Sequence, residues 1–188
     1  MRDEAELWLQ LLPLLNGVPL DDLIFSPCKD EVIELDASNV GYGAYWEPYW
    51  LSDPFYPHQV ISNKNNNNIA WRETYAVTAA FAAWGSLWSG KRILFYTDNK
   101  TVFSELCKKD SKNRDRASLI RRICFMSAQS KFRFFVEWVE RDLNEYADAL
   151  SKCDIPRFKK LCQENNREFS KHPMCYTRPT GLYSTFDM

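Results

Sequence analysis

One carboxylate inside an apolar strand constrains this chain more than any other feature. Val32-Ile33-Glu34-Leu35-Asp36-Ala37 has β-strand character, Ser38 to Gly41 turns it back, and Gly43 to Trp46 forms a second short strand. Two strands with glycine at their turn read as a hairpin. Asp36 stands where a central strand should be apolar. A buried carboxylate needs a partner, and a bound cation is one such partner. The competing reading is a strand-end Asp that caps its own turn. On this stretch alone the second reading is the better one, and the weight of the first comes from downstream.

The 188 residues suffice for one domain with a proper core and a small appendage. A hydrophobic content of 45% with 15% aromatics argues for a folded chain and against disorder. The net charge of −1 points to no polyanionic partner by itself, but its distribution is uneven. Residues 1–90 carry 4 Lys/Arg against 12 Asp/Glu, and residues 91–133 carry 12 against 4. An acidic half followed by a basic band is what a metal-binding acidic site beside a phosphate-binding surface would give. Ordinary surface patterning can give it too.

Six cysteines are scattered without a C-x-x-C pair, which favours free thiols in a reducing compartment over a disulfide framework. Cys162, His172 and Cys175 match no usual zinc spacing, so no zinc is expected. The apolar run Leu7 to Leu15 has an acidic flank and is broken by Pro13 and Asn16-Gly17, so it reads as neither signal peptide nor membrane span. An intracellular protein, cytoplasmic or nuclear, is expected.

Taken in order, residues 3–15 read as a short amphipathic helix and 18–30 as a linker. Strands are expected over about 31–37 and 42–47, then over His58–Ser62 after a Pro-rich loop. The Asn run 63–68 is a loop, and Ile69 to Trp88 has helical spacing. A strand over Ile93–Tyr96 ends at Thr97-Asp98, followed by helices over 99–107 and 119–130, a strand over 132–139 and a helix over 144–152. Three antiparallel strands followed by alternating helices and strands imply an α/β fold: a five-stranded mixed sheet, three antiparallel strands then two parallel, with helices on both faces. Trp84 and Trp88, four apart, could stack on bases but read better as core.

Four carboxylates fall at the ends or early turns of these elements: Asp36, Glu73, Asp98 and Asp148. Converging carboxylates make an oxygen-only pocket that suits Mg²⁺ or Mn²⁺ rather than zinc. Two such ions can activate a water and stabilise the leaving oxygen of a phosphodiester. Glu73 or Asp148 taken singly reads better as a surface or capping acid.

Asp36-Ala37-Ser38-x-x-Gly41-x-Gly43, Ile69-Ala70-Trp71-Arg72-Glu73-Thr74-Tyr75, Tyr96-Thr97-Asp98-Asn99-Lys100 and Asn144-x-x-Ala147-Asp148-Ala149-Leu150-Ser151-Lys152 together resemble the ribonuclease H domain of retrotransposon reverse transcriptases, gypsy-like and DIRS-like elements above all. The four blocks stand in order across about residues 29–153. The resemblance implies a ribonuclease H-like fold and a two-ion Mg²⁺ site (Mn²⁺ possible as a substitute) built from Asp36, Glu73, Asp98 and Asp148. It implies that Asp36 bridges both ions, Glu73 and Asp98 complete the ion on the leaving-group side, and Asp148 holds the ion that carries the attacking water. It also implies RNA contacts near Ser38 and from Asn99, where a 2′-hydroxyl would be read. Residues 1–28 resemble the segment that joins a polymerase to this domain, so a polymerase domain in the same polyprotein is an expected partner. Residues 154–188 read as a partly flexible C-terminal extension, with one more helix turn or two over Ile155–Cys162.

One departure stands out. Related elements carry a His-Ile-Pro-Gly-like turn before the last helix, and here the aligned residues are Trp138-Val139-Glu140-Arg141. The only histidines, His58 and His172, lie elsewhere. Arg114, Arg116, Arg121 and Arg122, with Lys131 and Arg133, could line a groove for backbone phosphates or merely solvate a helix face. The expected activity is cleavage of the RNA strand of an RNA/DNA hybrid. The alternative is a domesticated, weak or inactive module of the same fold that binds nucleic acid or protein.

Overall fold

Side chains alternate along a strand, so a strand with apolar or interlocked residues on both sides must be covered on both faces. A computed structural model describes residues 30–56, 69–176 and 178, with Ala5, Glu6, Leu9, Gln10, Leu12 and Pro13 near the start. β1 (Glu31–Ala37), β2 (Gly41–Trp46), β3 (Tyr49–Pro54), β4 (Arg92–Thr97) and β5 (Arg133–Trp138) form one sheet in the order β3-β2-β1-β4-β5. The first three strands pair antiparallel, β4 runs parallel to β1, and β5 runs parallel to β4. This is the mixed sheet expected from the sequence.

Five helices flank it: α1 (Ile69–Trp84), α2 (Lys100–Lys108), α3 (Arg114–Gln129), α4 (Glu145–Ser151) and α5 (Ile155–Glu164). Ile33, Leu35, Tyr42, Ala44 and Trp46 share the larger core with Ala76, Ala80, Phe81 and Trp84 of α1. Tyr45 and Trp50, which alternation turns to the other face, meet Leu150 of α4 and Phe158 and Cys162 of α5. Burying each of these large side chains contributes about 1.5–3 kcal/mol. Trp84 and Trp88 are fully buried and meet Trp46 edge-on at centroid distances of 5.8 and 5.6 Å, so they are core residues. Among the described residues no helix is long and apolar enough to cross a membrane.

The structure departs from the sequence expectations in three places. The strand expected at His58–Ser62 lies outside the described residues, and the third strand is Tyr49–Pro54, joined to β2 by the two-residue turn Glu47-Pro48. A proline at the end of an edge strand costs no internal ladder bond, which is why Pro54 is tolerated there. Second, α3 begins five residues before the expected Leu119, because the Asn113 side chain accepts hydrogen bonds from the amides of Asp115 and Arg116 and caps the helix. Third, the folded unit continues past residue 153. α5 buries Phe158 and Cys162, the Ser170 amide donates to the Pro48 carbonyl, and the Met174 amide donates to that of Trp50. The described positions among residues 5–13 are helical, as expected; the rest of segment 1–28 lies outside the described residues.

Candidate metal centre

Asp36 sits one residue from the end of β1, opposite Gly43 of β2, with 6% of its surface exposed. A Cβ at residue 43 would stand 2.6 Å from the Ser151 nitrogen, so only glycine lets α4 lie this close to the sheet. That approach brings the Ser151 hydroxyl within 2.8 Å of Asp36 Oδ2, to which it donates. Asn144, just before α4, donates from Nδ2 to the Leu35 carbonyl at 2.9 Å and fixes the other end of the helix on β1.

Glu73 comes from the opening turns of α1 and is 3% exposed. Asn99 Nδ2 donates to Glu73 Oε1 at 3.1 Å and Thr97 Oγ1 to Oε2 at 3.3 Å. The same Asn99 accepts from the amides of Thr101 and Val102 and so caps α2. Arg72, beside Glu73, is buried and donates from its NH1 nitrogen to the Ser38 carbonyl at 3.0 Å and to Asn39 Oδ1 at 2.7 Å. It thereby ties α1 to the β1–β2 turn.

Asp98 follows β4 directly, and β4 is the parallel neighbour of β1, so both acids stand at the same end of the sheet. Arg141 Nε donates to Asp98 Oδ2 at 3.0 Å, and Trp138 Nε1 donates to the Asp98 carbonyl at 2.9 Å. One carboxylate oxygen from each of Asp36, Glu73 and Asp98 lies within 4.8 Å of the others.

Three acids at this spacing leave an excess of negative charge. Burial pushes the Asp36 carboxyl up to about 6, against the bond from Ser151, and the charges of Asp98 and Asp148 push the same way. Burial likewise lifts Glu73 to about 8, with Asp98 and Asp36 adding to it and the bonds from Asn99 and Thr97 opposing. Oxygen-only donors on rigid elements, destabilised as anions, are what a hard divalent cation would relieve, so the donor set fits Mg²⁺ or Mn²⁺.

Asp148 stands apart from this group. Its carboxylate is held by Lys152 Nζ and by an NH1 bond from Arg157, each at 2.7 Å. Burial raises its pKa, but those two cations outweigh burial and hold the carboxyl below its usual range. The Ser38 hydroxyl donates to the Ser151 carbonyl at 2.8 Å and accepts from the amides of Val40 and Gly41, so it locks the turn onto α4. Arg116, expected on a phosphate surface, is instead buried in a two-point pair with Glu105, Nε to Oε2 at 2.7 Å and NH2 to Oε1 at 2.8 Å. Arg114 and Arg121 are exposed and Arg122 is half-buried. The sequence reading missed the positioning roles of Ser151, Thr97, Arg72 and Asn144, although all four lie inside or beside the blocks that drew attention to the acids.

A family model described as reverse transcriptase-like matches residues 60–153, half of the chain. No curated protein matches. Among solved structures, the N-terminal ribonuclease H domain of Rv2228c from Mycobacterium tuberculosis, in a fusion with maltose-binding protein, is 21% identical over 72% of this chain and 97% of that one, with a TM-score of 0.47.

Proposed function

We propose that this chain, which belongs to the reverse transcriptase-like family, carries a ribonuclease H-like domain and is a metal-dependent endonuclease that cuts the RNA strand of RNA/DNA hybrids in a retroelement's reverse transcription. The observation that carries this reading is the convergence of Asp36, Glu73 and Asp98 within 4.8 Å at the end of two parallel strands. Divalent cations bound there would lower the pKa of a water to make it a nucleophile and stabilise the leaving oxygen.

The chain's own residues prepare that site. Asp36 and Glu73 must be ionised to ligate, and the donors Ser151, Asn99 and Thr97 each stabilise the anionic form. The buried, hydrogen-bonded seats of Asp36 and Glu73 fix their oxygens before substrate arrives, so little reorganisation remains for the chemical step. Asp148 is the fourth ligand of the proposal, and serves only by exchanging Lys152 and Arg157 for a cation. Products would carry 3′-hydroxyl and 5′-phosphate ends. A polymerase domain in the same polyprotein remains part of the proposal, on the strength of the family.

The same ion pairs on Asp148 favour a second reading, a domesticated module that binds hybrid without cutting it. One experiment separates the two. Purified protein is incubated with a labelled RNA/DNA hybrid, and in parallel with duplex DNA, under Mg²⁺, Mn²⁺ or chelator beside Asp98→Asn. Metal-dependent cutting of RNA alone, lost in the variant, is the expected result. A folded wild-type protein that binds the hybrid and leaves it intact would establish the second reading.

A further inference from the structure

A pocket of about 320 Å³ opens beside the carboxylates, lined by Glu73 and Asp98 together with Asn99, Lys100, Thr101 and Arg141. Two of the lining residues are cations, Lys100 and Arg141. Lys100 is exposed and is the first residue of α2, where the positive end of the helix dipole disfavours a cation, and no acid in the first turn offsets it. Its ammonium is nonetheless held 4.8 Å above the ring of Trp138, an aromatic left 38% exposed at the end of β5. Trp138 in turn is pinned by its indole to the Asp98 carbonyl. Arg141 reaches the same acid from the next loop, with 75% of its side chain exposed. Lys100, over Trp138, and Arg141, on the Asp98 carboxylate, are thus two solvent-facing cations held in the lining of one pocket.

We infer that Lys100 and Arg141 form an anion subsite that takes one backbone phosphate of the strand being cut, adjacent to the scissile one. The inference rests on the nuclease reading for the identity of that strand. The dipole of α2 and the two cations attract an anion from the same side. The pocket's continuity with Glu73 and Asp98 sets it next to whatever phosphate the carboxylate cluster addresses. Trp138 is a positioning residue that holds Lys100 in place. Arg116, by contrast, is committed to Glu105 and contributes nothing to this surface.

The test is hybrid binding by fluorescence anisotropy across a salt series, with Ca²⁺ in place of Mg²⁺, for wild type, Lys100→Gln, Arg141→Gln and Lys100→Arg. Each lost phosphate contact should flatten the log–log salt dependence by about 1 and weaken binding at every salt below the wild-type curve. Lys100→Arg should keep both the wild-type slope and the wild-type melting temperature. Lys100 decides the matter because Arg141 also touches Asp98. An unchanged slope in Lys100→Gln, with or without weaker binding, overturns the subsite. Wild-type cleavage of the hybrid, run alongside, keeps the two readings separate. Cutting with an unmoved slope removes the subsite alone, and a flattened slope in a protein that never cuts removes the nuclease alone.

Discussion

Replacing Asp36 by Asn should make the metal-free protein more stable while removing its response to metal. Asp36 is almost fully buried, and its carboxyl is lifted from 3.8 to about 6. A native pKa above the unfolded value means that the folded state binds the proton more tightly, so stability falls as pH rises from about 4 to about 6 and stays lowered above that. That rise corresponds to about 3 kcal/mol against the ionised form at pH 7.5. Asn keeps an oxygen to accept the Ser151 bond and carries no charge to repel Asp98. At about 2–4 °C per kcal/mol for a chain of this size, the variant should melt roughly 5–10 °C above wild type in chelator at pH 7.5. The gain should shrink toward zero near pH 3, below both values, where the wild-type carboxyl is mostly protonated in both states. Thermal melts at both pH values, with and without Mg²⁺ or Mn²⁺, read all of this. An Asn variant that melts no higher than wild type at pH 7.5, or that gains as much from metal, would refute the account of Asp36 as an uncompensated ligand.

Four further outcomes follow from the same geometry. Mn²⁺ affinity should rise with pH up to about 8, because Glu73 must lose a proton to ligate and its pKa is lifted to about 8; calorimetric titration at pH 6, 7 and 8 checks this. Arg157→Ala should strengthen binding of a second Mn²⁺ by releasing Asp148 from one of its two cations, visible as a change in titration stoichiometry with little change in melting temperature. Arg116→Ala should cost about 3–5 kcal/mol by stranding the Glu105 charge, while the salt dependence of hybrid binding stays as in wild type. Gly43→Ala should destabilise by about 1–3 kcal/mol, since the new methyl meets α4 backbone, and should weaken Mn²⁺ binding because Ser151 is carried away from Asp36.

Most of the sheet was legible in the sequence because local signals agree there. Alternating apolar residues and glycine turns mark β1 and β2, and compact apolar runs mark β4 and β5. β3 was not legible, because Pro48 and Pro54 bracket it and proline argues against a strand until its edge position is known. The packing of residues 155–176 was hidden for another reason: Tyr45 and Phe158, or Pro48 and Ser170, meet only in the folded chain. At the site, spacing and element ends exposed the acids. The groups that hold them were invisible, since Ser151 reaches Asp36 across 115 residues and Arg141 reaches Asp98 across 43. Arg116 shows the converse failure, where charge alone suggested a phosphate ligand and burial made it a strut.

The two faces of the sheet are coupled through this site. Glu73 arrives from α1 on the larger core, whereas Ser151 arrives from α4, which is seated by Leu150 and Phe158 in the smaller one. Asp36 lies in the strand between them and accepts its hydrogen bond from the second face while sharing its charge with the first. Asp98 joins from the parallel neighbour of that strand, where the carboxyl ends of β1 and β4 open a cleft of the kind that holds ligands in α/β sheets. The carboxylates are therefore expensive to the fold and rigid because of it. Neither helix layer can shift without moving an acid or the donor that fixes it, and a cation that binds all three acids also staples both layers to the sheet. Were the three acids to hold a cation, its affinity and the folding stability of this chain would be two readings of one arrangement.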